Sequence, residues 1–199
     1  MTTATARKRH SPKVAAAARR AELLAQASGR VLELGAGTGL NLPHYTDAVH
    51  ELVLSEPDAA MGRRLGRRVA RADSPAVVVV APAERLPFDD ASFDTVVSTL
   101  VLCTVADAEA AVHEVRRVLR PDGRLLFIEH VRAESARLAR RQDRLARPWR
   151  VFAMGCRANQ PTLELLATGG LRIDLAHTDR WRGMPAIVHP LAIGRASRA

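Results

Sequence analysis

Three glycines at alternate positions, Gly35, Gly37 and Gly39, follow an apolar run from Val31 to Leu34, and Glu33 stands two places before the first of them. A loop without side chains lets backbone amides approach a nucleotide-like ligand closely. Glu56 directly follows a second apolar run, Glu51–Ser55. A carboxylate at such a strand end accepts hydrogen bonds from both hydroxyls of a ribose. The plainer role for it is a helix N-terminal carboxylate before Pro57. Ala83 and Glu84 follow a third run, Val77–Ala81, where an acid can reach an adenine amino group or simply sit in an exposed loop.

The spacing narrows the ligand. A dinucleotide fingerprint would place its third glycine at Leu40, one position later than here. An acid at Glu33 suits an ammonium group better than a pyrophosphate. S-adenosyl-L-methionine (SAM) carries that ammonium, a sulfonium and no phosphate, and it is the cofactor expected.

The elements that must position these residues alternate along the chain. Strands are expected at Val31–Leu34, Glu51–Ser55, Val77–Ala81, Thr95–Leu100, Arg124–Val131, Leu171–His177 and Ala186–Ile193. Helices are expected at Lys13–Ala27, Leu40–Thr46, Ala59–Ala72, Ala108–Leu119 and Thr162–Ala167, with a turn at Arg120-Pro121-Asp122-Gly123. Alternation of this kind predicts a doubly wound, Rossmann-like parallel sheet, its last two strands forming an antiparallel edge hairpin across Arg180-Trp181-Arg182-Gly183. Residues 1–12 form a polar tail expected to be disordered, and residues 13–199 a single domain. The arginine-rich segment Ala133–Arg150 reads as a solvated helix, with a lid over the acceptor or a contact with anionic lipid as alternatives.

In such a sheet the methyl acceptor arrives at the carboxyl ends of the fourth and fifth strands. Leu102, Cys103, Thr104, Glu129, His130 and Arg132 fall there. His130 is the candidate catalytic base, since imidazole titrates near neutral pH. Its alternative is a histidine hydrogen-bonded within the strand-end turn. Cys103 reads as a small buried hydrophobe. Asp94 in SFDTVVS reads as a brace of the fold. Cys103 and Cys156 lie far apart in sequence without metal-ligand spacing, so no metal site is expected, and two free thiols fit a reducing compartment.

The ordered motifs VLELGAGTGLN, LSEP, APAERLPFDDASFDTVVSTLVLC and EVRRVLRPDGRLLFIEHV resemble class I SAM-dependent methyltransferases of the type 11, ubiquinone/menaquinone-type superfamily. TLVLCTV, LRPDGRLLFIEHVRA and DRLARPWRVFAMGCRANQPTLELLATGGL are similar to the methyltransferase-like thiol S-methyltransferases. The resemblance implies a seven-stranded sheet of order 3-2-1-4-5-7-6. It implies that Gly35, Ala36, Gly37 and Gly39 line the methionine part of SAM and that Glu33 orients its amino end. Glu56, with Pro57 and Met61, would hold ribose and adenine. Ala83 and Glu84 would flank adenine, and Leu100 and Val101 would form the floor beneath the sulfonium.

Composition excludes several other classes. Thirty basic against 21 acidic residues give a net charge of +9, spread along the chain without a nucleic-acid motif. Aromatics at 4% disfavour a single-strand stacking platform. Val14–Ala18 is too short, and too soon followed by Arg19 and Arg20, for a signal peptide or membrane span, so a cytoplasmic protein is expected. No NPPY-type element follows the fourth strand and no Pro-Cys pair occurs, against methylation of base amines, glutamine amides or cytosine carbon. The expected function is methyl transfer to a small-molecule acceptor, with a thiol favoured. Transfer to oxygen, carbon or nitrogen of a quinol, lipid headgroup or natural product is the alternative, and a non-catalytic SAM-binding protein recruiting nucleic acid or anionic lipid is another.

Overall fold

The computed structural model describes residues 12–72, 75–181 and 183–199. The expected polar tail, apart from Pro12, lies outside the described residues, as does Arg182 in the connection between the last two strands.

Strands β1 (Gly29–Leu34), β2 (Val49–Ser55), β3 (Val77–Val79), β4 (Phe93–Thr99), β5 (Leu119–His130), β6 (Leu171–Arg180) and β7 (Pro190–Arg198) form one sheet. Its order is β3-β2-β1-β4-β5-β7-β6. The first five strands run parallel, and β7 pairs antiparallel with both β5 and β6. This is the expected order and reversed hairpin.

Helices α1 (Pro12–Leu24), α2 (Ala59–Arg71), α3 (Ala108–Val118), α4 (Ala136–Phe152) and α5 (Thr162–Thr168) connect or cover the strands. Side chains alternate between the two faces of each strand. Leu32, Leu34, Leu125 and Phe127 pack with Ala111, Val112, Val115 and Val118 of α3 on one face. Val31, Leu52, Leu54, Leu126 and Ile128 pack with Leu23 and Leu24 of α1 and Leu65 and Val69 of α2 on the other. Asp58 caps α2 and Asp107 caps α3, each accepting from a backbone N–H in the first turn.

Three expectations need correction. The helix expected at Leu40–Thr46 is a 3-10 turn, Leu42–His44, since Pro43 supplies no N–H and Asn41 is drawn inward to Glu33. The strand expected from Ala186 begins at Pro190, behind a second 3-10 turn at Ala186–Val188. Residues 120–123 do not separate helix from strand: Leu119 already pairs with Phe93 and Arg124 with Thr95, so the turn residues bulge out of a strand that starts where α3 ends.

At the amino ends of the strands Asp94 braces the sheet, accepting from the Arg30 N–H at 2.7 Å and pairing with Arg120. At the opposite end α4 is fastened by buried Gln142. Its Nε2 lies 2.7–3.1 Å from the carbonyls of Val131, Ala158 and Ile187, and its Oε1 accepts from the Ala133 N–H at 2.8 Å. The arginine-rich segment is therefore a docked helix with one buried polar anchor.

Candidate functional site

The glycine loop leaves β1 at Leu34 and turns back over the end of the sheet. Gly35 and Gly37 both hold left-handed backbone, with φ of 51° and 54°. A Cβ on Gly35 would sit 3.0 Å from a Val101 methyl, whereas one on Gly37 meets nothing closer than the Gly35 carbonyl at 3.8 Å. The first glycine thus serves packing and the second leaves open space above the backbone. Ala36 is buried and donates its N–H to the Ser55 carbonyl at 2.9 Å, which ties the loop to β2. Gly39 is closed in by Leu42 and Leu65.

Glu56 stands at the exit of β2. Its Oε2 accepts from the Gly37 N–H at 2.9 Å and its Oε1 from the Asp58 N–H at 3.1 Å. Its backbone meets the third strand's exit, through the Val79 and Ala81 peptides. Met61 is half-buried in the first turn of α2 and Pro57 is exposed. Of these three, Glu56 is the one bonded to the glycine loop.

Glu33 lies beneath the loop, 2% exposed. Asn41 Nδ2 donates to its Oε1 at 3.0 Å and the Tyr45 hydroxyl to its Oε2 at 2.7 Å. Burial pushes its pKa up to about 7, against the opposing pull of Tyr45, Asn41 and Arg20. A carboxylate so short of compensating charge favours a positively charged partner. Asn41 and Tyr45 were missed from sequence; their signal is two polar groups four residues apart directly after the glycines. Arg20 of α1 also went unnoticed, and with Ala16 and Arg19 it lines a small void shared with Thr99, Leu100 and Trp181. Helix α1 therefore covers the end of β4.

Glu84 is placed differently from the cofactor-facing group expected. It accepts from the Ala106 and Asp107 N–H groups at 2.8 and 3.3 Å, holding the turn into α3. Ala83 is buried in the core beside it.

Leu100 carries a φ of 62°, left-handed for a non-glycine residue, and its N–H donates to the Ile128 carbonyl at 2.7 Å. The kink turns the Val101, Leu102 and Cys103 N–H groups onto Glu129, at 2.9, 3.1 and 3.3 Å, and Ser98 Oγ donates to the same carboxylate at 2.7 Å. Glu129 is fully buried, and burial raises its pKa against those donors. It organises the loop after β4 and is spent on that task.

His130 is buried and stacks on Trp181 with ring centroids 5.6 Å apart. Its Nδ1 lies 3.4 Å from both Cys103 Sγ and Cys156 Sγ, and the sulfurs are 3.9 Å apart. Two cysteines 53 positions apart in sequence are thus neighbours. The hydrogen bond to Cys103 and the adjacent His130 lower the Cys156 thiol, while the same bond and burial push Cys103 well up. A cleft of about 690 Å3 opens further toward the β6–β7 edge, between Val131, Thr162, Leu163 and Thr178, and none of the glycine-loop residues reach it.

Residues 32–127 match a family model described as a methyltransferase domain. The chain is 39% identical over 139 residues to the human thiol S-methyltransferase TMT1B, covering 67% of this chain and 57% of that protein. It is 33% identical over 129 residues to a phosphatidylethanolamine N-methyltransferase of Cereibacter sphaeroides, covering 60% and 59%. The chain thus spans less than two thirds of the length of these relatives. The [4+2]-cyclase SpnF shares its fold, with a TM-score of 0.73 at 20% identity over 92% of this chain and 80% of that one. A cyclase on this scaffold shows that fold alone does not name a reaction. The family uses S-adenosylmethionine, and the open backbone at Gly37, its N–H on the Glu56 carboxylate, fits it. The matched domain, the relatives and the strand order together support a class I SAM-dependent methyltransferase of the type 11 family.

Proposed function

We propose that residues 13–199 act as one catalytic domain that transfers a methyl group from SAM to a small-molecule thiol. The observation that carries the reading is the side-chain-free space above Gly37, flanked by a buried and an edge carboxylate. Similarity to a thiol S-methyltransferase supports the acceptor atom.

SAM supplies a methyl group already activated by its sulfonium. Gly35, Ala36, Gly37 and Gly39 let its methionine part lie against the loop, and Glu33 pairs with its ammonium. Glu56 keeps its backbone N–H donors and accepts the ribose hydroxyls at its remaining lone pairs, with Pro57, Met61 and Ala83 around the adenine. Leu100 and Val101 form an apolar floor. Glu84 acts here indirectly, by holding the turn that follows them. The enzyme's remaining work is to exclude water and align the acceptor lone pair. His130 takes the acceptor's proton, since a thiol reacts as thiolate.

Radiolabelled SAM offered to alkyl and aryl thiols, quinols and phospholipids tests the acceptor. Label in thiols is expected; label only in the others overturns the thiol reading. Calorimetry with S-adenosylhomocysteine and NADH tests the cofactor, and binding of NADH alone overturns it.

A second reading, a lipid-headgroup acceptor met at a membrane surface, draws on the far end of α4. Val151, Phe152 and Met154 there are 81%, 84% and 86% exposed, beside Arg147 and Arg150. Apolar tips among arginines suit peripheral contact with anionic lipid. No helix among the described residues is long and apolar enough to cross a membrane. A cytoplasmic setting is proposed for both readings. Liposome flotation that depends on anionic lipid and on Phe152 would favour the second; no flotation removes it.

A further inference from the structure

Three ligand-type side chains from three separate stretches of chain meet at the carboxyl ends of β4 and β5. Cys103 lies in the loop after β4, His130 ends β5, and Cys156 lies in the loop after α4. All three are buried, at 0%, 6% and 5% exposure. Their donor atoms form a triangle with sides of 3.9, 3.4 and 3.4 Å. Tetrahedral zinc, with bonds of about 2.3 Å to sulfur and about 2.0 Å to nitrogen, sets its sulfurs about 3.8 Å apart and each sulfur about 3.5 Å from nitrogen. The triangle is one face of that tetrahedron before any ion enters.

We propose that Cys103, Cys156 and His130 bind one soft divalent cation of the zinc class. Two sulfurs and an imidazole select such an ion over calcium or magnesium, which take oxygen ligands. The nearby carboxylate that would blur that choice, Glu129, already accepts four hydrogen bonds and is not free to ligate.

The scaffold holds the triangle without the ion. The Arg157 N–H donates to the Cys103 carbonyl at 2.6 Å and Gln160 Nε2 to the Leu102 carbonyl at 3.1 Å. Gly155, at φ 91°, allows the two loops to touch, since a Cβ there would lie 3.0 Å from the Thr104 carbonyl. Trp181 stacks on the imidazole and fixes its plane. His130 Nε2, buried and without a hydrogen-bond partner among the described residues, is the nitrogen left to carry the proton when Nδ1 ligates. Such support keeps ligands near productive geometry and raises affinity. A disulfide is the competing use of the thiols, but the sulfurs would have to close from 3.9 Å to about 2.0 Å.

Three protein ligands leave a fourth position, as in catalytic rather than structural zinc sites. Resting on the thiol-methyltransferase reading, that position takes the acceptor as thiolate. With Nδ1 on the ion, the acceptor thiol binds as thiolate and its proton is released to solvent rather than taken up by His130.

Reduced full-length protein titrated with cobalt(II) under inert gas tests the site. One equivalent is expected to bind, with a thiolate-to-cobalt charge-transfer band and strong tetrahedral d–d absorption. Cys103→Ser, Cys156→Ser and His130→Asn should each weaken binding at least tenfold, and zinc should displace the cobalt. No thiolate band in reduced wild type overturns the site, as does a band that survives both cysteine substitutions. Should the variants fail to fold, thiol titration of native wild type decides: two thiols shielded by zinc and released by chelator support the site, and equal reactivity with and without zinc overturns it. Adding 2-mercaptoethanol to the cobalt form should shift the charge-transfer band; an unchanged band overturns acceptor binding at the ion. None of these readouts requires methyl transfer, so failure to methylate thiols leaves the ion site standing.

Discussion

Glu33 and Glu129 are both carboxylates buried at the carboxyl end of a central strand, yet their surroundings differ. Glu33 is held by two side chains, Asn41 and Tyr45. Glu129 is held by one side chain and three backbone N–H groups of a single left-handed turn. Side-chain partners can be exchanged for a ligand, whereas backbone partners can be removed only by refolding the loop. The glycine-loop half of the sheet end is therefore built to change partners, and the β4–β5 half to hold position.

Removing the fixed carboxylate should have the largest effect. Glu129→Ala leaves three buried N–H groups and Ser98 without their acceptor, and a loss on the order of 3–5 kcal/mol is expected by urea denaturation. A loss under about 1 kcal/mol would show the turn to be independent of Glu129.

Next comes the Glu33 contribution to the pH dependence of stability. Its folded pKa, about 7, lies above the ordinary 4.5, so the native state binds the proton more tightly than the unfolded chain. Stability from this group is thus greatest below pH 4.5 and falls as pH rises to 7, by roughly 3 kcal/mol. Glu33→Gln should lack that fall. Parallel denaturation curves for the two proteins between pH 5 and 8 would break the contrast.

Glu56→Ala should weaken S-adenosylhomocysteine binding by roughly 1–3 kcal/mol in calorimetry while scarcely moving the unfolding midpoint. An unchanged dissociation constant removes Glu56 from the ribose. Smallest of all, Tyr45→Phe deletes one donor to Glu33 at a cost of about 1 kcal/mol and should move the Glu33 titration further upward. Carboxylate titration by NMR or the stability–pH curve would report it, and a downward shift would contradict the arrangement.

Strand positions and the glycine loop were readable because apolar runs and alternate glycines are local patterns: β1, β2 and β6 contain the expected residues, and β4 ends one residue short of them, at Thr99. The helix expected after Gly39 fails because Asn41 turns inward toward a carboxylate eight residues earlier. Glu84 was legible as a loop acid, but its bond to a turn 22 residues away was not. The meeting of Cys103, His130 and Cys156 has no periodicity at all; it follows from strand order and from the loop that α4 returns. Helix α1 over the end of β4 is a tertiary contact of the same kind. Sequence reasoning located the groups that act through local geometry and missed those that act through topology.

One consequence of the strand order concerns how the protein is made. β7 is the last of the seven strands in sequence, yet it lies between β5 and β6. As the chain emerges from the ribosome, β5 has no neighbour on that side, and its edge stays open until the final strand is translated. Helix α5 and the two cysteine loops are already complete by then, so the acceptor end is assembled around an unfinished sheet. A pause or truncation shortly before Pro190 would release a chain with an exposed apolar edge, ready to pair with another copy. Biogenesis of this fold therefore rests on β7 more heavily than its distance from the glycine loop implies.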